Sequence, residues 1–281
     1  MFCKTWIFFF IFIHEILNAK KFFDGFHVGG HRGSPLVVPE NTIESFKEAL
    51  SSKMDLVEFD LALSKDGVAV IMHDDNLLRT CGVDGLVSSF TLEELAKHDA
   101  GRTFYRDRAD KIECKIPTLK EVVEFCKTNK LRMLFDVKDG SLKMVSQIVE
   151  IIKEDDLFDQ VIVSSFFPWV SYAVKKAEPR ILTGITWRSY FFSYTDLDNC
   201  VKRFSGLIHY AAVLVDIINM KLLLSILPKF LGVEMMLTHE QEISGALVDR
   251  MKKQGIQVVA WTVNNKAQMM YYLDVLKVSC L

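Results

Sequence analysis

Residues 56–62 read Leu56-Val57-Glu58-Phe59-Asp60-Leu61-Ala62, an apolar run in which two carboxylates stand two positions apart. On a β-strand such residues share a face, so Glu58 and Asp60 point one way and Phe59 the other. Carboxylates within an apolar strand lose hydration, and only pairing, function or a solvent-facing edge offsets that loss. The same spacing returns in Leu134-Phe135-Asp136-Val137-Lys138. Around these two segments, short β-branched runs alternate with amphipathic stretches, the pattern of βα units about a parallel sheet. Eight strands are predicted, near 26–31, 56–62, 68–73, 132–138, 160–164, 181–186, 233–237 and 256–263. Capping boxes mark helix starts at Asn41 with Glu44, Thr91 with Glu94 and Thr118 with Glu121, and Gly255 after Lys252-Lys253 reads as a C-cap. A chain of 281 residues, half of them hydrophobic, suits one α/β barrel of about 250 residues. The expected fold is a TIM-type (β/α)8 barrel over 24–281, preceded by a hydrophobic leader over 1–20.

The leader carries one positive charge at Lys4, then an uncharged run from Thr5 to Ile13. A helix over 5–17 spans only about 20 Å, short of the roughly 30 Å hydrocarbon core. That favours a secretory signal ending near Ala19 over a full span, with an uncleaved membrane anchor as the alternative. Residues 206–237 form a second greasy region, broken by Asp216, Lys221 and Pro228. Those breaks disfavour a membrane span. They leave a barrel strand with a buried helix, or a hydrophobic surface that docks on membrane or on a lipid tail. With 34 basic against 36 acidic residues, net charge −2, nucleic acid is excluded as a partner class. Cys81, Cys114, Cys126, Cys200 and Cys280 lack metal-like spacing and read as free packing thiols.

The polar residues fall at the C-terminal ends of the predicted strands, the rim where a parallel barrel builds its active site. His31-Arg32-Gly33 closes the first strand and His73-Asp74 closes 68–73. Glu58, Asp60 and Asp136 offer three hard oxygen ligands that suit Mg²⁺ or Ca²⁺. Lys138 is placed to face a phosphate oxygen, or else to pair with Asp136 at the surface.

As a set, Gly30-His31-Arg32-Gly33, Pro39-Glu40-Asn41-Thr42, Glu58-Phe59-Asp60, Asp66-Gly67 and His73-Asp74 resemble the glycerophosphodiester phosphodiesterase family in order and spacing. Ile116-Pro117-Thr118-Leu119, Phe135-Asp136-Val137-Lys138 and the run Gly255 to Asn264 are similar to the same family. The Asp-Val-Lys form and Ser164-Ser165-Phe166 resemble its membrane-associated animal branch, linked to glycerophosphoinositol and to N-acylethanolamine precursors. The resemblance implies that Glu58, Asp60 and Asp136 bind a divalent metal, Mg²⁺ or alternatively Ca²⁺. It also implies that Arg32 and Lys138 hold the phosphodiester and that His31 and His73 are the acid–base pair. Trp261 is expected to line the alcohol pocket or to pack in the core. Glu40 and Pro39 read as bracing for the loop beside His31, Asn41 as a helix cap and Gly33 as a tight turn, with substrate contact by Glu40 and Asn41 as the alternative.

The expected activity is metal-dependent hydrolysis of a glycerophosphodiester to glycerol 3-phosphate and an alcohol. It is expected at a secretory-pathway or cell-surface membrane, or outside the cell if the leader is removed. The rivals are a lysophospholipase D acting on lysophospholipids, a cyclising phosphodiesterase, and an inactive membrane-tethered interaction protein. Headgroup preference is left to loops at 81–90 and 187–205, which show no pattern. Two departures from the resemblance stand out. Position 136 is Asp where most of the wider family has Glu, and the chain ends at Val278-Ser279-Cys280-Leu281 where the family continues into a Thr-Asp segment. The second predicts poor closure after the eighth strand and lowered stability.

Overall fold

The computed structural model describes residues 17–108, 111–197 and 199–281. Most of the predicted leader therefore lies outside the described residues. Its strands are β1 (Gly29–His31), β2 (Leu56–Leu63), β3 (Ala69–Ile71), β4 (Arg132–Val137), β5 (Val161–Ser165), β6 (Leu182–Trp187), β7 (Tyr194–Asp196), β8 (Val201–Lys202), β9 (Met235–His239), β10 (Gln257–Trp261) and β11 (Ser279–Cys280). Eight of them run β1-β2-β4-β5-β6-β9-β10-β11, every neighbouring pair parallel, in a nearly closed barrel with helices outside.

The predicted strand at 68–73 is not one of the eight. It forms β3, which turns back antiparallel on β2 and opens an excursion that lasts until Thr118. An apolar run reports burial but not direction, so the sequence pattern counted it as a barrel strand. The eighth barrel strand is instead β11, beside β10. Its Cys280 bridges to Val28 across the seam, and Cys280 N–H donates to His27 O at 2.9 Å. Ser279 Oγ adds a bond to Phe26 O at 2.7 Å, and Val263 N–H donates to Leu281 O at 2.7 Å. The expected failure of closure is thus corrected, because the final residues themselves supply the strand.

Alternation divides the core into two layers. Leu56, Leu134, Ile162, Leu182, Met235, Leu237 and Val259 fill the barrel interior, with Phe22 and Phe26 packed among them. Phe59, Phe135, Val57, Met133 and Val163 face outward against the helices. Those helices form for local reasons. Helix Leu119–Thr128 has the full Thr118/Glu121 capping box and buries Leu119, Val122, Val123 and Cys126 at helical spacing. Helix Leu142–Glu154 starts on Ser141 and buries Met144, Val145, Ile148 and Ile152.

Two local expectations are corrected. Asn41 is not the cap of helix Ile43–Ser51: Thr42 takes that place and accepts from Ser45 N–H. Residues 206–237 also do not form a buried helix. Helix Gly206–Leu223 buries only His209, Ala212, Asp216 and Leu223, and leaves Leu207 86% exposed. Cys81, Cys114, Cys126 and Cys280 are buried free thiols, and Cys200 is exposed and free.

Candidate active site

Register brings the acids together. In the β1/β2 pairing His31 stands beside Glu58, and in the β2/β4 pairing Asp60 stands beside Asp136. His31, Asp60 and Asp136 lie in the C-terminal halves of their strands, Glu58 is third in β2, and all four line the same cleft. Glu58, Asp60 and Asp136 are buried, and each contributes an oxygen to a group whose atoms lie within 4.8 Å of one another. Burial and the neighbouring Asp60 and Asp136 charges push the Glu58 carboxyl well above its usual range. Burial and Asp60 likewise lift Asp136 to about 6. Burial also opposes ionisation of Asp60, but Lys138, His73 and Arg32 outweigh it and hold that carboxyl at about 2. Three buried carboxylates that cannot all ionise comfortably, offering only hard oxygens, match the donor set of a divalent cation such as Mg²⁺ or Ca²⁺.

The cations surround this cluster. Lys138 Nζ donates to Asp60 Oδ1 at 3.2 Å and to the His73 carbonyl at 2.7 Å. Arg32 N–H donates to Glu58 Oε2 at 2.8 Å, and Arg32 Nε lies 3.4 Å from Asp60 Oδ2. Arg32 has a left-handed φ of 55°, followed by Gly33 at +86°, where a Cβ would lie 2.4 Å from Ser45 Oγ. Glycine is required there, because the turn that aims Arg32 back at the site passes against the helix.

The histidines enter from different parts of the chain. His31 Nε2 is 3.9 Å from Glu58 Oε2, and burial, with Arg32 beside it, lowers its pKa to about 4. His73 follows β3, with Nδ1 2.5 Å from Asp74 Oδ1 and Nε2 4.0 Å from Asp60 Oδ1. Asp74 therefore fixes the ring while Nε2 faces the acids. Arg79 bonds Asp74 through Nε at 2.6 Å and clamps Glu40 through both terminal nitrogens at 2.7 and 2.6 Å. Glu40 in turn accepts from Arg32 at 2.9 Å. A continuous ionic chain thus joins the two histidine loops.

The site lies in a cleft of about 1110 Å³ lined by His31, Arg32, Glu58, Asp60, His73, Asp136, Lys138 and Trp261, so every residue predicted for the site reaches one cavity. Trp261 donates Nε1–H to Leu237 O and meets Phe166 edge-on at 5.6 Å. Phe166 stacks on Phe191 at 4.2 Å, and Arg203 lies 5.5 Å over the Phe191 ring. One side of the mouth is therefore an aromatic wall with a guanidinium against it.

Sequence reasoning missed three contributors and gave a fourth, Asn41, another role. Asn41 Nδ2 donates to Asp60 Oδ2 at 2.9 Å, and Thr186 Oγ1 donates to Asp136 Oδ1 at 3.3 Å. Arg79 and Phe191 were also unread. Asn41 carried a misleading signal, a cap pattern shifted by one residue. Thr186, Arg79 and Phe191 carried none, since each is an ordinary residue made relevant by distant pairing.

The model of the Glycerophosphoryl diester phosphodiesterase family matches residues 31–281. The chain is 31% identical over 243 residues to human Glycerophosphodiester phosphodiesterase 1, covering 86% of this chain and 73% of that protein. That relative is in keeping with the animal branch. Among solved structures, the chain resembles an Oleispira antarctica phosphodiesterase in complex with the product sn-glycerol-3-phosphate, with a TM-score of 0.70 and 25% identity, covering 91% of each chain. The Thermotoga maritima glycerophosphodiester phosphodiesterase shares the fold, with a TM-score of 0.60 at 23% identity, covering 88% of this chain and 89% of that one.

Proposed function

The chain belongs to the glycerophosphoryl diester phosphodiesterase family, and from that premise we propose that it hydrolyses a glycerophosphodiester of the glycerophosphoinositol or glycerophospho-N-acylethanolamine type. The products are glycerol 3-phosphate and the free alcohol. The observation that carries this reading is the convergence of two histidines, two cations and three carboxylates on one rim cleft.

Glu58, Asp60 and Asp136 would hold the divalent cation, Mg²⁺ in this reading, with Ca²⁺ as the alternative. When bound, it neutralises charge on the phosphoryl oxygens. Arg32 and Lys138 meet the remaining anionic oxygens as charge grows on them toward the transition state. One histidine takes the proton of the nucleophile and the other gives a proton to the departing alcohol oxygen; the nucleophile is water, or the adjacent glycerol hydroxyl in a first step whose cyclic phosphate a water then opens to glycerol 3-phosphate. Asp74 keeps the His73 ring turned so that Nε2 faces Asp60 and the cleft in which the phosphodiester would lie. The aromatic wall of Phe166, Phe191 and Trp261 receives the alcohol. The leader predicted over 1–20 supports a site of action at a secretory-pathway or cell-surface membrane.

The test is hydrolysis of glycerophosphoinositol, glycerophospho-N-acylethanolamine and lysophosphatidylethanolamine by the full chain, with Mg²⁺, with Ca²⁺ and with chelator. The expected result is metal-dependent release of glycerol 3-phosphate, absent in both His31→Ala and His73→Ala. A cyclic phosphate product, or preference for the lysophospholipid, would replace this reading with a cyclising or lysophospholipase D activity. Unchanged turnover in both histidine variants would overturn the mechanism.

A further inference from the structure

Helix Gly206–Leu223 is apolar on nearly every side, long and apolar enough by composition to cross a membrane, yet mostly exposed on the barrel. A helix of this kind in a water-soluble setting is normally buried. Here Leu207, Ile208, Tyr210, Leu214 and Ile218 all face outward, and Phe230 on the next helix is 78% exposed. Contiguous apolar surface of this extent marks a docking face.

We propose that this face rests on the surface of an anionic phospholipid bilayer, with the helix lying along the interface. The proposal builds on the membrane-associated reading above and adds the face, the lipid charge and the orientation.

Charge chooses the occupant. Between Asn199 and Val233 the basic residues are Lys202, Arg203, Lys221 and Lys229, all exposed, and the only acid is Asp216. Asp216 is turned inward and 2% exposed. The segment thus carries exposed apolar side chains and exposed cations with its one acid turned inward, although the whole chain carries a net charge of −2. Basic residues beside an apolar helix face are what anionic headgroups attract.

Topology excludes a span. β6 precedes this helix and β9 follows it, and the two are adjacent, hydrogen-bonded strands of the same barrel. A helix threaded through the bilayer would leave these paired strands on opposite sides. Lying flat requires no such separation.

The docked helix also reaches the cleft. Asp216 accepts from Phe192 N–H at 2.9 Å, Ser193 N–H at 2.9 Å and Ser193 Oγ at 2.6 Å. That loop carries Phe191, whose ring stacks on Phe166 in the cleft wall. The helix that meets lipid is therefore the one that fixes the aromatic side of the mouth.

The experiment places an environment-sensitive NBD label at Ile208→Cys, Leu214→Cys or Ile218→Cys in the full chain, with Cys200→Ser to remove the exposed thiol and Cys3→Ser to remove the thiol of the predicted leader. Glu124→Cys on a distant helix is the control. Vesicles of phosphatidylcholine with phosphatidylserine should brighten and blue-shift all three helix labels at similar shallow depth, leaving the control unchanged. Lys221→Gln and Lys229→Gln should each weaken the response by on the order of fivefold. Vesicles that float the chain without moving the labels would overturn this docking face and leave membrane association standing; no flotation would remove both. Labels already blue-shifted without vesicles would overturn it too, in favour of a second copy if the shift rises with protein concentration, or of the chain's own residues if it does not. A central label far deeper than the flanking pair would show a span and equally defeat it.

Discussion

The two long excursions from the barrel rim, 64–118 after β2 and 188–232 after β6, are built on opposite plans. The first has its own core, with Val70, Met72, Leu77, Cys81, Leu95, Tyr105, Cys114 and Ile116 packed together. It delivers His73, Asp74 and Arg79 to the cleft, each charged group bonded to the next. The second turns most of its apolar side chains outward and is pinned to the cleft loop by the buried carboxylate of Asp216. The difference matches the two tasks proposed above. Proton transfer needs atoms held to within fractions of an ångström, which suits the packed and ionically saturated excursion. Docking on lipid needs exposed apolar area, which suits the other.

The largest test of that division is His73→Ala. Loss of a positioned acid or base is expected to lower kcat by roughly 10²–10⁴-fold, with an unchanged circular dichroism spectrum. Next in size, Leu95→Ala removes a fully buried side chain from the first excursion and should cost about 2–5 kcal/mol of stability in a urea titration. If it cost nothing, the claim of a packed excursion would be lost.

In the second excursion, Asp216→Asn keeps the size but turns an amide donor toward the backbone donors of Phe192 and Ser193. An expected loss of about 2–3 kcal/mol should appear as faster amide hydrogen exchange across 188–205, with the β2 excursion unaffected. Equal acceleration in both excursions would mean that they are not independent. The smallest effect is expected at Leu207→Ser, where an exposed apolar residue becomes polar and stability should move by no more than about 0.5 kcal/mol, read as Tm. A large loss there would mean that Leu207 is packed against something in solution.

The same contrast explains how much was legible in sequence. His31, Glu58, Asp60 and Asp136 were readable as polar residues sharing a face or a rim, because strand periodicity decides the face and parallel strand ends share a rim, while their roles came from the family resemblance. The direction of β3 was not readable, since antiparallel return depends on the turn at Asp66-Gly67 and on pairing with β2 rather than on its own apolar run. Asn41 was misread because Asn41/Glu44 and Thr42/Ser45 both satisfy local capping rules. The left-handed φ of 58° at Asn41 swings its amide to Asp60 instead. The outward face of helix Gly206–Leu223 was hidden for a related reason: a helix apolar all round shows no preferred side until packing selects one.

The antiparallel return of β3 has a consequence for how such a site evolves. Glu58, Asp60, Asp136 and Lys138 all stand on or beside ring strands, whereas His73 arrives on a segment the ring does not require for its own pairing. In the proposed mechanism the three carboxylates, Lys138 and one histidine therefore belong to the ring, and the second histidine belongs to a stretch outside it. In that reading, a descendant that trimmed or exchanged 64–118 would keep the three carboxylates and Lys138 but lose His73 and, with Arg79, the clamp on Glu40 that braces Arg32, so an altered excursion would retune proton transfer and anion binding together.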